Sequence, residues 1–118
     1  MPRTNLRDSI RPDMLAAGTK AKIIARYGTT LRIWDNRGAS FDRYTIMPPR
    51  WAKRDYCAHG TWDAIASSEH PFHPQGFGQH TTAKPGTHLG RRIAWGDLPP
   101  DVQQFARQSF PEFCPSKD

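Results

Sequence analysis

The stretch LRIWDNRGASFDRYTIM, residues 31–47, decides the fold because it reads as two strands joined by a tight turn. The turn is Asp35–Gly38, where Asp and Asn close local hydrogen bonds and Gly supplies a positive φ. In the first strand, Leu31 and Ile33 share one face. The opposite face carries Arg32 and Trp34. The second strand spans Ser40–Met47 and ends at a pair of prolines, so the stretch predicts an antiparallel hairpin.

The flanking segments enlarge this hairpin to a small sheet. KAKIIARY, residues 20–27, precedes it and reads as a strand, which makes a meander of three. Trp62–Ser68 and Arg91–Trp95 are further short segments that can lie extended beside the meander. We therefore expect a twisted antiparallel sheet of three to five strands.

One helix follows near the C-terminus, from about Leu98 to Ser109. Asp97 is a suitable N-cap, and the two prolines after Leu98 suit a first helical turn. Apolar residues then recur at helical spacing, which predicts an amphipathic helix covering one sheet face. The expected contacts join Leu98, Val102, Phe105 and Phe110 to Ile24, Ile33 and Ile46. The fold class is therefore α+β.

The length of 118 residues fits one domain. We expect that domain to span residues 19–111. A flexible basic arm, residues 1–18, precedes it, because prolines limit any helix there and chain ends are usually loose. Residues 112–118 read as a C-terminal tail.

The segment Glu69–Arg92 holds four of the five histidines together with many glycines and prolines. Its composition is typical of a functional loop. We expect Glu69–Gly90 to be a long, ordered loop that wraps the sheet, with Phe72 and Phe77 holding it in place.

The histidines raise two alternatives to a binding role. His70, His73 and His80 have the density of zinc ligands but not their usual spacing, and prolines after two of them spoil a helical two-histidine face. His59 and His80 each begin a His-x-Thr motif, which resembles the two-histidine phosphoesterases, with one histidine as general base and the other as general acid. A small hydrolase, either a phosphoesterase or a metal-dependent nuclease, is thus the alternative function.

The charge distribution favours a polyanionic partner. Residues 1–54 carry twelve Lys and Arg against four Asp, a net +8, whereas residues 55–118 carry five against seven acids, a net −2. Within the basic half, cations interleave with aromatic side chains that can stack on bases. The candidate binding residues are Arg43, Tyr44, Arg50, Trp51, Lys53, Arg54 and Tyr56.

Other classes of protein are disfavoured. Two cysteines do not make a disulfide framework, and no apolar run is long enough to cross a membrane. We expect a cytoplasmic protein with reduced thiols, no membrane association and no cofactor.

Three blocks resemble a family of small proteins encoded by phages and mobile genetic elements. They are DRYTIMPP (Asp42–Pro49), SSEHPFHPQGFGQH (Ser67–His80) and HLGRRIAWGDLPPDVQQFAR (His88–Arg107), within residues 39–110. The resemblance implies a DNA-handling accessory or an inhibitor of host defence. It carries over no catalytic residues, because no activity is established for that family.

These observations together predict a non-enzymatic binding protein. Its expected partner is nucleic acid, or a host protein that handles nucleic acid, contacted through the basic aromatic surface.

Overall fold

The hairpin forms the centre of a five-stranded antiparallel sheet in the computed structural model, which describes residues 17–52 and 60–115. The strands are β1 (Arg32–Asp35), β2 (Tyr44–Met47), β3 (Trp62–Ser67), β4 (Gly78–Ala83) and β5 (Arg91–Arg92). Their order across the sheet is β4-β3-β2-β1-β5. Ile33 pairs with Ile46, and Asp35 pairs with Tyr44 next to the turn. The predicted α+β class is confirmed.

The first predicted strand is wrong: residues 20–27 belong to a helix, α1 (Ala17–Tyr27). Adjacent Ile23 and Ile24 suggested a strand, but alanine, lysine and arginine fill most of the segment and all favour helix. Gly28 follows at φ 75° and donates its N–H to the carbonyl of Ile24 at 2.7 Å, which ends the helix in the usual left-handed way.

The C-terminal helix is confirmed as α2 (Pro100–Ser109), but its expected N-cap is wrong. Pro99 occupies the cap position. The carboxylate of Asp97 instead accepts the N–H of Ala94 at 3.0 Å, within a single 3₁₀ turn, Trp95–Asp97. The consecutive prolines shift the start of the helix, because proline at the first helical position is already fixed in a helical φ.

The main core lies between α2 and the sheet face that carries Ile33, Ile46 and Ile65. Val102 and Phe110 of this core are fully buried, and burying each such side chain contributes about 2 kcal/mol. The expected contact with Ile24 is wrong: this side chain is 48% exposed on α1. Since residues 20–27 form a helix beside the sheet, Ile24 has no sheet face to occupy.

The predicted long loop Glu69–Gly90 is interrupted by the edge strand β4, which pairs with β3 along its whole length. Thr and Gln at alternate positions are compatible with an exposed edge, where strand formation needs no apolar face. Phe72, in the loop before β4, packs its ring edge-on against Phe105 of α2 with centroids 6.3 Å apart. Phe77 acts through its backbone, as described below.

The chain ends are only partly covered by the structure. Of the predicted arm, residues 1–16 lie outside the described residues, and Ala17 and Gly18 begin α1. Phe113 and Cys114, which the sequence assigns to the tail, pack against the main core. Neither helix in the described ranges has the length and apolar character needed to cross a membrane.

Candidate functional site

The basic aromatic run predicted as one binding surface is divided by the fold. Tyr44 is buried in the main core, and burial raises its pKa. Arg43 lies at the turn end of the hairpin, whereas Arg50 and Trp51 lie in a 3₁₀ turn after the other end of β2. The last three candidates, Lys53, Arg54 and Tyr56, lie outside the described residues. Two separate regions therefore replace the single surface.

At the turn end, Arg43 joins two carboxylates. Its Nε donates to Asp35 Oδ1 at 2.7 Å and its Nη1 donates to Glu69 Oε2 at 2.7 Å. These hydrogen bonds raise the pKa of Arg43, and the bond from Arg43 is the main reason that the pKa of Asp35 is lowered. The ion pairs fasten the β1–β2 turn to the loop between β3 and β4.

The β1–β2 turn is itself held rigidly by side chains. Asp35 Oδ1 accepts the N–H of Arg37 at 2.7 Å, and Asn36 Oδ1 accepts the N–H of Gly38 at 2.9 Å. The amide nitrogen of Asn36 donates to Ser40 Oγ and to the carbonyl of Asp42. This is the local hydrogen bonding that the Asp-Asn sequence predicts.

The loop between β3 and β4 is closed at its neck by Ser68 and Phe77. The Ser68 N–H donates to the Phe77 carbonyl at 2.8 Å, and the Phe77 N–H donates to Ser68 Oγ at 3.0 Å. Inside the loop, Gly76 lies so close to the carbonyl of His70 that a Cβ would fall 1.7 Å from that oxygen. Only glycine fits there, so the loop keeps one compact path.

The turn and the loop form the two walls of a cavity of about 690 Å³. Its lining includes Phe41, Arg43 and Glu69 together with His70 and His73. Phe41 is 63% exposed and Glu69 is half-exposed, so an aromatic ring and a carboxylate face solvent in the same cavity. The volume lies within the range of small-ligand sites. We call this cavity the turn–loop pocket.

The predicted histidines that the structure describes, His70, His73 and His80, lie in two different places. His70 and His73 line the turn–loop pocket, whereas His80 lies on β4 with its ring packed edge-on to Phe105 at 6.2 Å. Within residues 17–52 and 60–115, no three His, Cys, Asp or Glu side chains are placed to hold a metal ion. The alternative metal trio of His70, His73 and His80 therefore gains no support from the placement of these side chains. His59, needed for the alternative pairing with His80, lies outside the described residues.

The second region surrounds the sheet face that α2 leaves uncovered. Arg32 lies over the Trp62 ring at 4.5 Å, and Arg92 lies between the rings of Tyr27 (4.6 Å) and Trp34 (5.2 Å). Lys20 of α1 lies over Trp51 at 5.4 Å, and Arg26 lies over Tyr27 at 5.3 Å. Such contacts each stabilise the fold by about 0.5–2 kcal/mol. We call this set the cationic face: Lys20, Arg26, Arg32, Arg50 and Arg92.

Among the described residues, the cationic face has no acidic partner. In the described part of the chain, the ion pairs to carboxylates involve Arg43 and none of these five cations. Arg32 is buried, and burial together with Arg50 and Arg92 lowers its pKa to about 10. Burial also lowers the pKa of Arg92, and Arg26 adds to this effect. The face thus concentrates mutually repelling positive charge.

Four members of the cationic face, Lys20, Arg26, Arg32 and Arg92, were missed from the sequence, although Arg32 was placed on the face opposite Leu31 and Ile33. Arg92 was missed because β5 is only two residues long and pairs with β1, which places Arg92 opposite Trp34. Lys20 and Arg26 were missed because residues 20–27 were interpreted as a strand. A basic residue in the last turn, followed by Gly28, is the helix signal that would have found them.

No protein-family model, curated protein or solved structure matches this chain, so the expected phage or mobile-element origin stays a prediction and the two regions are interpreted from their own chemistry.

Proposed function

We propose that this protein binds single-stranded nucleic acid through the cationic face. The observation that carries the proposal is the positive charge around Arg32 and Arg92, which has no carboxylate partner among the described residues. Burying unpaired cations costs stability that a bound anion recovers. Phosphate is the anion that arginine recognises best, through its planar fork of N–H donors.

Aromatic side chains interleaved with these cations favour a nucleic acid over other polyanions. Trp51 and Tyr27 are only partly buried, and each has a cation over its ring. A strand can follow the cations with its phosphates while unpaired bases stack near these rings. Duplex recognition is less well supported, because Arg32, Arg50 and Arg92 lie on strands or in a 3₁₀ turn and not on a helix that could enter a groove.

The role is binding without catalysis. The described histidines neither form a metal site nor pair with each other in an acid–base arrangement, so the hydrolase alternative gains no support from their placement. Action in the cytoplasm, as expected from the sequence, stays a prediction.

The test is the affinity for a fluorescent single-stranded oligonucleotide measured at several salt concentrations. We expect the logarithm of the association constant to fall linearly with that of salt. Arg50→Gln removes one exposed charge of the cationic face and should lower the affinity about fivefold and the salt slope by about 0.7.

Arg107→Gln is the matched control. It removes the same charge from α2, where Arg107 lies over Trp95 on the opposite side of the sheet. We expect little change in affinity for this variant. Equal effects of the two substitutions, or no strand binding at low salt, would overturn the proposal and leave an acidic protein surface as the partner to examine.

A further inference from the structure

The turn–loop pocket has the features of a preformed site for a small planar ligand. Both walls are fixed by internal hydrogen bonds, and Arg43 ties them together through its two carboxylate partners. Preformed walls lower the entropy cost of binding, because the ligand meets side chains that are already placed. The cavity of about 690 Å³ is large enough for a heterocyclic ring.

The exposed side chains of the pocket define the chemistry of its occupant. Phe41 is not needed for the core, since most of its ring faces solvent. An exposed aromatic ring in a rigid cavity offers one face for stacking. The ring of a ligand is therefore the group that best covers Phe41.

Glu69 supplies acceptors for the edge of such a ring. Its Oε2 accepts one hydrogen bond from Arg43, and within the described residues its Oε1 accepts none. A carboxylate has about four lone-pair positions, so both oxygens retain acceptor capacity. The pairing with Arg43 also keeps the Glu69 carboxylate in one orientation.

His73 supplies a donor with a fixed position. Its Nδ1 accepts the N–H of Gln75 at 3.1 Å, so the neutral ring carries its proton on Nε2. Nε2–H is thus available as a donor in the same cavity. The pocket combines an aromatic face, a two-oxygen acceptor and one N–H donor.

We propose that the turn–loop pocket binds a guanine base. Guanine presents two adjacent N–H donors, which match the carboxylate of Glu69, and carries acceptors at O6 and N7 for an N–H donor such as His73. Cytosine and adenine offer one exocyclic amino group, and thymine offers a single ring N–H, so each satisfies the carboxylate less fully. This inference rests on the proposed function in one respect: it takes the guanine to be a base of the bound strand. A free guanine nucleotide presents the same donors and acceptors.

The test compares two strands of equal charge. One is an abasic deoxyribose-phosphate oligomer, and the other is the same oligomer with a single guanine near its middle. We expect the guanine strand to bind about tenfold more tightly, because one stacked and hydrogen-bonded base is added. Phe41→Ala should remove this advantage and leave binding of the abasic strand unchanged.

Glu69→Gln tests the base preference. With guanine, adenine, cytosine or thymine at the same position, the unmodified protein should favour guanine by about tenfold, and Glu69→Gln should remove that preference while stacking on Phe41 remains. Guanosine monophosphate, measured alone, distinguishes the sources. If the monophosphate binds saturably and Phe41→Ala removes that binding, the ligand is a free nucleotide. If the monophosphate does not bind but the guanine strand still binds more tightly than the abasic strand, the ligand is a base within a strand.

Failure of this inference differs from failure of the proposed function. Equal affinity for the guanine and abasic strands, with no binding of the monophosphate, overturns the pocket assignment and leaves the cationic face untouched. If the abasic strand does not bind but the monophosphate binds in a way that depends on Phe41, only the role proposed for the cationic face is overturned.

Discussion

Arg43 and Arg32 lie at opposite ends of the same hairpin and have opposite electrostatic surroundings. Arg43 donates to Asp35 and Glu69, and its pKa is raised. Arg32 is buried near two further arginines, and its pKa is lowered to about 10. The difference shows that positive charge has two settings in this protein: at the turn it is paired with carboxylates and holds loops together, whereas Arg32 has no carboxylate partner among the described residues. The second setting is the one on which the proposed function rests.

The largest expected effect on stability comes from removing the paired arginine. Arg43→Met leaves Asp35 without its main partner, although the Asp35 side chain is only 10% exposed. We expect the free energy of unfolding to fall by about 2 kcal/mol, less than for a fully buried pair because Arg43 is still partly solvated. Urea unfolding measures this. Arg37→Met, on the same turn, is the control, and an equal loss in both variants would contradict the role given to Arg43.

The same ion pair predicts a pH dependence. Because the folded-state pKa of Asp35 is lowered below 3.8, its contribution to stability is complete above that pH and is lost as the pH falls through the folded-state value. The stability difference between the unmodified protein and Arg43→Met should therefore be constant from pH 5 to 7 and shrink below pH 3.8. If the stability difference between the two proteins is undiminished at pH 2, the loss in Arg43→Met comes from packing and not from the ion pair.

The unpaired arginine should behave in the opposite way. Arg32→Met removes a buried charge that has no carboxylate partner in residues 17–52 and 60–115, so the free energy of unfolding should stay constant or rise by up to about 2 kcal/mol. The gain is limited by the loss of the hydrogen bond from Nε to the Pro48 carbonyl and of the contact over the Trp62 ring. Affinity for single-stranded nucleic acid should fall in the same variant. If Arg32→Met lowers the free energy of unfolding as much as Arg43→Met does, the contrast between the paired and the unpaired arginine is contradicted.

The smallest effect concerns the attachment of α1. Lys20→Gln removes the cation over Trp51 and should lower the free energy of unfolding by about 0.5 kcal/mol. Lys22→Gln, on the exposed side of the same helix, is the matched control with no such ring contact in the described structure. Thermal unfolding of the two variants side by side separates this contact from the general effect of charge. Indistinguishable melting temperatures would show that α1 is held by other contacts.

The sequence predicted the parts of the fold that local patterns govern. Asp35 to Gly38 forms the expected turn because its side chains bond to adjacent backbone groups, and α2 forms where apolar spacing and prolines indicate it. The sequence did not predict α1, where two adjacent isoleucines were given more weight than helix propensity and Gly28. It also missed β4, since an exposed edge strand needs no alternation of apolar residues.

The candidate sites depended much less on local pattern. Arg43 was singled out for polyanion chemistry, and His70 and His73 for metal chemistry. Their grouping with Glu69 around one pocket follows from the packing of the turn against the loop. Arg92 joins the cationic face only because a two-residue strand pairs with β1. Such contacts join residues that are distant in the chain, so no local periodicity in the sequence predicts them.

The sequence by itself determined the hairpin at residues 31–47, the C-terminal helix and the alternation that places Arg32 and Trp34 on the face opposite the main core. These features follow from side-chain period and turn chemistry, which act over a few residues. Tertiary structure alone decided which arginines find carboxylates. That choice depends on which strands become neighbours, because an ion pair forms only between side chains that the fold brings within a few ångströms.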